Sequence, residues 1–336
     1  MKRTLIALAA LASVAGVAQA QSAVTVYGVL DVAVSKGTGT PTKEAAGDNN
    51  RLGFKGVEDL GGGLAAIFQA EIRFDPDTGT TEGNGTRPLF QGQSRVGLKG
   101  DFGQFRLGRG LTAMQESAAA FDPWGATRAR GTFNPGIALA NYISDPLNPG
   151  NTTQNRFGNA AFYNSPVIGG FQGNLTVATK EAGDRTIAGV PVTASTVPVS
   201  AKGTYNNGPI GAMLAYERNA VEDKFWLVGG SFNVGPANLM ASYGQTKFGT
   251  TGLSTSPADS KTKGWLIGAK VVAGPGNVLV GYGQKKPDAV EATKQASIGY
   301  EYNLSKRTFL YTDAMNVRRS GAETINTFDV GIHHNF

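Results

Sequence analysis

From Val24 to Ser35 apolar and polar residues alternate. Val24, Val26, Gly28, Leu30 and Val32 share one face, and Thr25, Tyr27, Val29 and Asp31 share the other. That two-residue period is the signature of an extended strand. Arg51 to Val57 repeats it, with Leu52, Phe54 and Gly56 opposite Arg51, Gly53 and Lys55. Further strands are predicted at 64–74, 94–100, 104–109, 155–164, 171–180, 199–206, 209–218, 224–234, 237–247, 262–273, 277–286, 294–303, 307–317 and 324–336, making sixteen. Short turns such as 58–63, 101–103, 207–209, 234–236 and 274–276 join some of them. Long polar stretches at 36–49, 75–93, 181–198, 248–261 and 285–293 join others. Alternating short and long connections between strands of about ten residues mark a transmembrane β-barrel, with turns on one side of the membrane and loops on the other.

The faces fit a barrel better than a water-soluble sandwich. In the last strand Phe328, Val330, Ile332, His334 and Phe336 oppose Thr327, Asp329, Gly331, His333 and Asn335. One face suits lipid and the other an aqueous lumen. Tyr163, Tyr216, Trp226, Tyr302 and Phe336 fall near strand ends, where aromatic girdles form. One stretch breaks the alternation. Gly110 to Ile143 carries Glu116, Asp122, Arg128, Arg130, Trp124, Pro123 and Pro135, and a connection this long tends to be functional.

Composition narrows the setting. Residues 1–20 read as a secretory signal peptide: basic Lys2 and Arg3, an apolar run from Leu5 to Val17, and Ala18-Gln19-Ala20. Removing them takes the formal net charge from +6 to 6 − 2 = +4, too weak a surplus to argue nucleic-acid binding. With no cysteine, disulfide stapling and thiolate chemistry are excluded. No later apolar run approaches the length of a spanning helix, so a membrane placement requires strands. Nothing in composition divides the remainder, residues 21–336, into separate domains.

Several segments resemble the Gram-negative general porins of the β-proteobacterial and neisserial type. They are 22–31 (SAVTVYGVLD), 51–71 (RLGFKGVEDLGGGLAAIFQAE), 95–103 (RVGLKGDFG) with Gly108-Arg109, 302–308 (YNLSKRT) and 331–336 (GIHHNF). Where family members often carry Gln after Gly-Arg, this chain has Gly110. The resemblance implies an all-β fold, a sixteen-stranded antiparallel transmembrane barrel with an inward-folded third loop, 110–143, that narrows the pore. It also implies a homotrimer in the outer membrane, contacts with outer-membrane lipid and lipopolysaccharide, and passive diffusion of ions and small hydrophilic solutes. Phe336 resembles the terminal signal read by the outer-membrane assembly machinery.

Alternation then assigns candidate pore residues. Arg51, Arg95 and Arg156 begin even-numbered strands. Leu52, Phe54, Val96, Leu98 and Phe157 are read as lipid-facing. The arginines, with Lys55 and Lys99, are therefore expected to form a basic wall inside the lumen, and Arg106 joins them by parity with Phe105 and Leu107. Lys202 and Lys270 also face inward. An arginine on the lipid face would cost about 2–4 kcal/mol near the midplane. Glu116 and Asp122 are expected on the facing loop, giving opposed charges across the channel, with Arg128 and Arg130 as further loop charges or as salt-bridge partners of those acids. Trp124 is expected to anchor the loop. His333 and His334 face opposite ways and cannot form a dyad or share a metal. No metal, cofactor or catalytic group is expected. The resulting expectation is a general diffusion channel preferring anions. The alternative is a substrate-selective organic-anion channel.

Overall fold

The computed structural model describes residues 23–47, 50–125, 131–134, 136–147, 155–180, 185–187, 190–192, 194–250, 256–288 and 290–336. The expected signal peptide lies outside them. Sixteen long strands carry the chain: β1 (Ala23–Gly37), β2 (Arg51–Gly61), β3 (Leu64–Asp75), β4 (Gln93–Gly100), β5 (Gly103–Leu111), β6 (Arg156–Asn164), β7 (Phe171–Ala178), β8 (Val199–Asn207), β9 (Ile210–Arg218), β10 (Lys224–Val234), β11 (Ala237–Lys247), β12 (Lys261–Ala273), β13 (Gly276–Pro287), β14 (Thr293–Asn303), β15 (Thr308–Arg319) and β16 (Ile325–Asn335).

Each strand pairs antiparallel with its chain neighbours, and β16 returns to β1 from Val29↔Asn335 to Gly37↔Thr327. The ring is closed, so no strand edge is left to satisfy in lipid. Short strands Lys43–Ala46 and Thr80–Thr81 extend the sheet beside β1 and β3. No described helix is long and apolar enough to cross a membrane.

Connections alternate as the pattern predicts. The turn expected over 58–63 is tighter, because β2 runs on through Glu58 and Asp59 to Gly61. Gly61, Gly62 and Gly63 have φ of 83°, 61° and 79°, left-handed values that side chains other than glycine resist. The apolar face points out: Val24, Leu214 and Ile298 are 64%, 64% and 56% exposed. On the inner face β1–β5 carry charged and amide side chains. Strands β10, β12 and β13 differ there, with buried Phe225, Leu227, Leu266 and Leu279 alternating with glycine.

Candidate functional site

On the inner face of β1–β5, polar groups form a connected row. Arg95 on β4 donates through Nη2 to Gln69 Oε1 at 3.0 Å, and Gln69 Nε2 donates to the Tyr27 hydroxyl at 2.7 Å. Tyr27 donates in turn to Glu71 Oε2 at 3.1 Å, and Glu71 also accepts from Arg73 Nε at 3.0 Å. Lys55 Nζ stands 5.3 Å from the Tyr27 ring centre. Lys55 and Lys99 are exposed and Arg51 is half-buried. Lys55, Gln69, Arg95, Lys99, Gln104 and Arg106 line one cavity of about 280 Å³. Lys55, Arg95, Lys99 and Arg106 thus gather around one cavity.

The connection 112–155 follows β5. Its entry is shaped by Gly108 and Gly110, which frame Arg109 and where the pairing of β5 with β6 shifts register. The chain then forms a short helix, α1 (Gln115–Ala118), and a 3₁₀ turn, Ala119–Phe121. It bonds to inner-face side chains of successive strands. Ala113 N donates to Thr176 Oγ1 on β7 and Met114 N to Ser200 Oγ on β8, each at 3.0 Å. Thr246 on β11 donates to Ala140 O at 2.8 Å, Gln295 on β14 to Thr132 O at 2.8 Å, and Trp124 Nε1 to Asp313 Oδ1 on β15 at 2.7 Å.

Two apolar clusters back these bonds. Met114, Phe121, Leu139 and Tyr142 bury against Met213, Phe225 and Leu227. Trp124, Phe133 and Ile137 bury against Leu266 and Leu279. Glycines make the room: a Cβ at Gly229 would strike Phe121, and one at Gly281 would strike Phe133.

Several expected site residues sit differently. Glu116 does not oppose the basic wall across open space; it touches it. Its Oε1 lies 3.1 Å from Arg95 Nη1 and 3.6 Å from Arg106 Nη1, and both guanidinium groups lie over the Phe162 ring at 5.4 and 5.8 Å. The first turn of α1 reaches β4 and β5 directly, which turns a facing charge into an ion pair. Lys202 Nζ bonds Ser117 Oγ at 2.6 Å beside it, and Lys270 pairs with Glu301 at 2.7 Å.

Asp122 is also corrected. It is only 2% exposed. It accepts from the backbone N–H of Trp124, Phe133 and Asn134 at 3.0, 2.7 and 3.0 Å, and from Thr132 Oγ1 at 2.7 Å. It therefore organises the connection and faces no channel. Burial pushes its carboxyl up from the ordinary range, against the pull of those four donors. Trp124 anchors the segment as expected.

Arg156 is buried rather than exposed to a lumen, for a reason in the backbone. The argument for it assumed an outward Phe157, but Phe157 is 2% exposed and packs with Ala160, Phe162 and Ala178. The register shift against β5 and the positive φ of 47° at Asn159 reset the alternation, as a β-bulge does. Arg156 is 1% exposed and donates to Gly92 O and Asn155 Oδ1 at 2.5 and 2.6 Å. Arg128 and Arg130 lie outside the described residues. His333 is buried. Its Nδ1 lies 2.7 Å from Asp31 Oδ2, across the seam where β16 meets β1, while His334 Nδ1 contacts Thr308 Oγ1 at 2.8 Å.

Sequence reasoning missed the seat of the connection. Its signal was present: Phe225-Trp226-Leu227-Val228 and Trp265-Leu266-Ile267 are apolar on both faces, which an empty lumen does not need.

Comparison with known proteins places this geometry. Residues 7–322 match the family described as Gram-negative porin. Outer membrane porin protein 32 of Delftia acidovorans is 34% identical over 99% of this chain and 94% of its own length. The solved structure of an anion-selective porin from Comamonas acidovorans superposes with a TM-score of 0.78 at 27% identity, covering 94% of this chain and all of that one. The trimer form of OmpT, an outer membrane protein of Vibrio cholerae, gives 0.71 at 13% identity over 94% of this chain and 99% of its own, a likeness of fold alone.

Proposed function

Because the chain belongs to the Gram-negative porin family, and so forms a passive diffusion channel in the outer membrane and not an enzyme, we propose that this channel prefers anions. On this reading the connection 112–155 folds into the lumen against β7–β15 and narrows it. The open passage then runs along β1–β5, past Arg51, Lys55, Arg95, Lys99 and Arg106. Rings and rows of like charge in a narrow aqueous channel raise the local concentration of counter-ions.

The observation that carries the reading is an asymmetry of pairing. The acid that the connection offers to this wall, Glu116, is already matched by Arg95 and Arg106, which leaves the exposed Lys55 and Lys99 uncompensated by it. The anion selectivity of the Comamonas porin agrees with the sign. The test is the reversal potential across a KCl gradient in planar bilayers with refolded mature protein. A shift toward the chloride potential is expected, and a shift toward potassium sinks the reading.

A substrate-selective organic-anion channel gains one observation. Lys55, Lys99, Arg95 and Arg106 share their cavity with the amides of Gln69 and Gln104, a donor set suited to a carboxylate pair. Current block by a micromolar dicarboxylate would favour this second reading.

The same proposal includes a homotrimer and recognition of Phe336 by the assembly machinery. Every outward-facing Tyr and Trp lies on β6 or β8–β14, and β16 and β1–β5 present Val, Leu, Ile and Phe instead. An arc without outward Tyr or Trp suits protein neighbours better than a lipid boundary. Phe336 caps that arc with its backbone bonded to Gly28 in both directions at 3.1 and 3.2 Å. Replacing Phe336 with Ala should lower the assembled fraction in vivo while leaving refolding in detergent unchanged.

A further inference from the structure

The outer face near the loop end of β12–β15 carries an arrangement that strand pairing alone disfavours. Lys263 on β12 stands directly opposite Lys286 on β13, and Lys294 on β14 directly opposite Arg318 on β15. All four side chains are exposed and point outward with the apolar face. Like charges directly opposite one another destabilise a sheet. One step around the barrel Lys247 faces Lys261, and there Asp259 supplies a counter-charge to Lys247 at 3.1 Å. Among the described residues no carboxylate ion-pairs with Lys263, Lys286, Lys294 or Arg318. Glu291 shares a groove with Lys286, Lys294 and Arg318 without pairing with them. That groove, about 750 Å³, is lined by Tyr282, Gln284, Lys286, Lys294, Asn316 and Arg318.

Its height on the barrel identifies what could neutralise it. Lys263 lies two residues, about 7 Å, beyond Trp265 toward the loop end, and Trp265 packs on Tyr282 with ring centres 5.7 Å apart. Outward Trp and Tyr mark the boundary between hydrocarbon and headgroups. The cations therefore stand at headgroup level, above a lipid-facing surface. Among the described residues, the outward cation at the corresponding end of β16 and β1–β4 is Lys36, whose Nζ donates to Thr40 O at 2.8 Å, as Lys286 Nζ donates to Val290 O at 3.1 Å.

We propose that Lys263, Lys286, Lys294 and Arg318 form a binding site for the phosphate groups of a phosphorylated glycolipid of the outer leaflet, the lipid portion of lipopolysaccharide. The groove between β13 and β15 receives one phosphate. Gln284 and Asn316 add neutral donors, and the acyl chains lie along the apolar face below Tyr282. The proposal rests on the outer-membrane placement but not on the ion preference of the pore.

The test uses the refolded full chain in neutral detergent and native mass spectrometry with bis-phosphorylated lipid A as the probe. The wild type should retain lipid A and bind its dephosphorylated form at least about tenfold more weakly, given the strength of each cation's attraction to an anionic lipid surface. The variant Lys263→Gln/Lys286→Gln/Lys294→Gln/Arg318→Gln should lose lipid A by a similar factor, and Lys55→Gln/Lys99→Gln should not. Equal binding of the dephosphorylated lipid, undiminished binding by the fourfold variant, or binding of free pyrophosphate as tight as that of lipid A would each overturn the site. Should the fourfold variant fail to refold, the phosphate dependence of the wild type and the single change Lys294→Gln decide the matter. Ion preference is read on the same preparations, so failure of the lipid site is separable from failure of the pore reading.

Discussion

The two halves of the inner wall are built for different neighbours. From β7 to β15 many inner positions are small, hydroxylic or apolar, among them Thr176, Ser200, Met213, Phe225, Gly229, Leu266 and Gly281, and the polar ones between them, such as Lys202, Gln295 and Asp313, bond the connection. They are filled by protein, with Phe121 and Phe133 set over glycines. From β1 to β5 the inner positions are Tyr27, Arg51, Lys55, Gln69, Arg95 and Lys99. They bond mainly to one another, and Lys55 and Lys99 stay exposed. The period of two is identical in both halves. What differs is whether the inward residue gains by excluding water or by keeping it. One half is thus a packing surface for described residues of the connection 112–155, and the other is, on the proposed reading, what solutes meet.

The largest change should come from abolishing the distinction. Deleting residues 115–142 removes what fills the first half. Conductance should rise several-fold and selectivity fall, while the barrel keeps its heat-modifiable mobility on gels. Unchanged conductance would place the connection outside the passage. Next in size is Phe133→Ala, which empties a fully buried site over Gly281 and should cost the seat about 3–5 kcal/mol. Noisier single-channel currents and protease cleavage within 112–155 are the expected signs, and a quiet, uncut channel would contradict the packing account.

On the other half, Lys55→Gln/Lys99→Gln should move the KCl reversal potential well toward zero without altering thermal stability by more than about 1 kcal/mol, since both lysines are exposed and exposed charges contribute little. The smallest effect discriminates most finely. Glu116→Gln removes the acid shared by Arg95 and Arg106 and should strengthen anion preference modestly. A weakened preference would mean that Glu116 serves the passage from across it, as the sequence alone suggests.

How far the sequence was legible follows the same division. The strands could be placed because lipid on one side and polar groups on the other impose a strict alternation, and β9–β15 lie within a residue or two of their predicted bounds. Arg51, Lys55, Arg95, Lys99 and Arg106 followed from that alternation. Arg156 did not, because the shift between β5 and β6 reverses parity within two residues and leaves no compositional trace. Asp122 and Glu116 were misplaced for another reason. Alternation says which way a strand residue points, but the position of an acid on an irregular segment depends on where its own backbone N–H groups converge. Asp122 gathers three of them, a contact visible only once Trp124 and Phe133 are seated.

The absence of cysteine from the chain allows the two halves to be compared directly. Lys55→Cys places a thiol on the exposed side of β2, and Ser242→Cys places one on the inner face of β11, where Ser242 is 8% exposed. Each single-cysteine channel would be treated with a charged methanethiosulfonate reagent during recording. The account predicts a prompt stepwise change in current for Lys55→Cys and none for Ser242→Cys. Equal reactivity at both positions, or reaction at Ser242→Cys alone, would contradict a passage that runs along β1–β5.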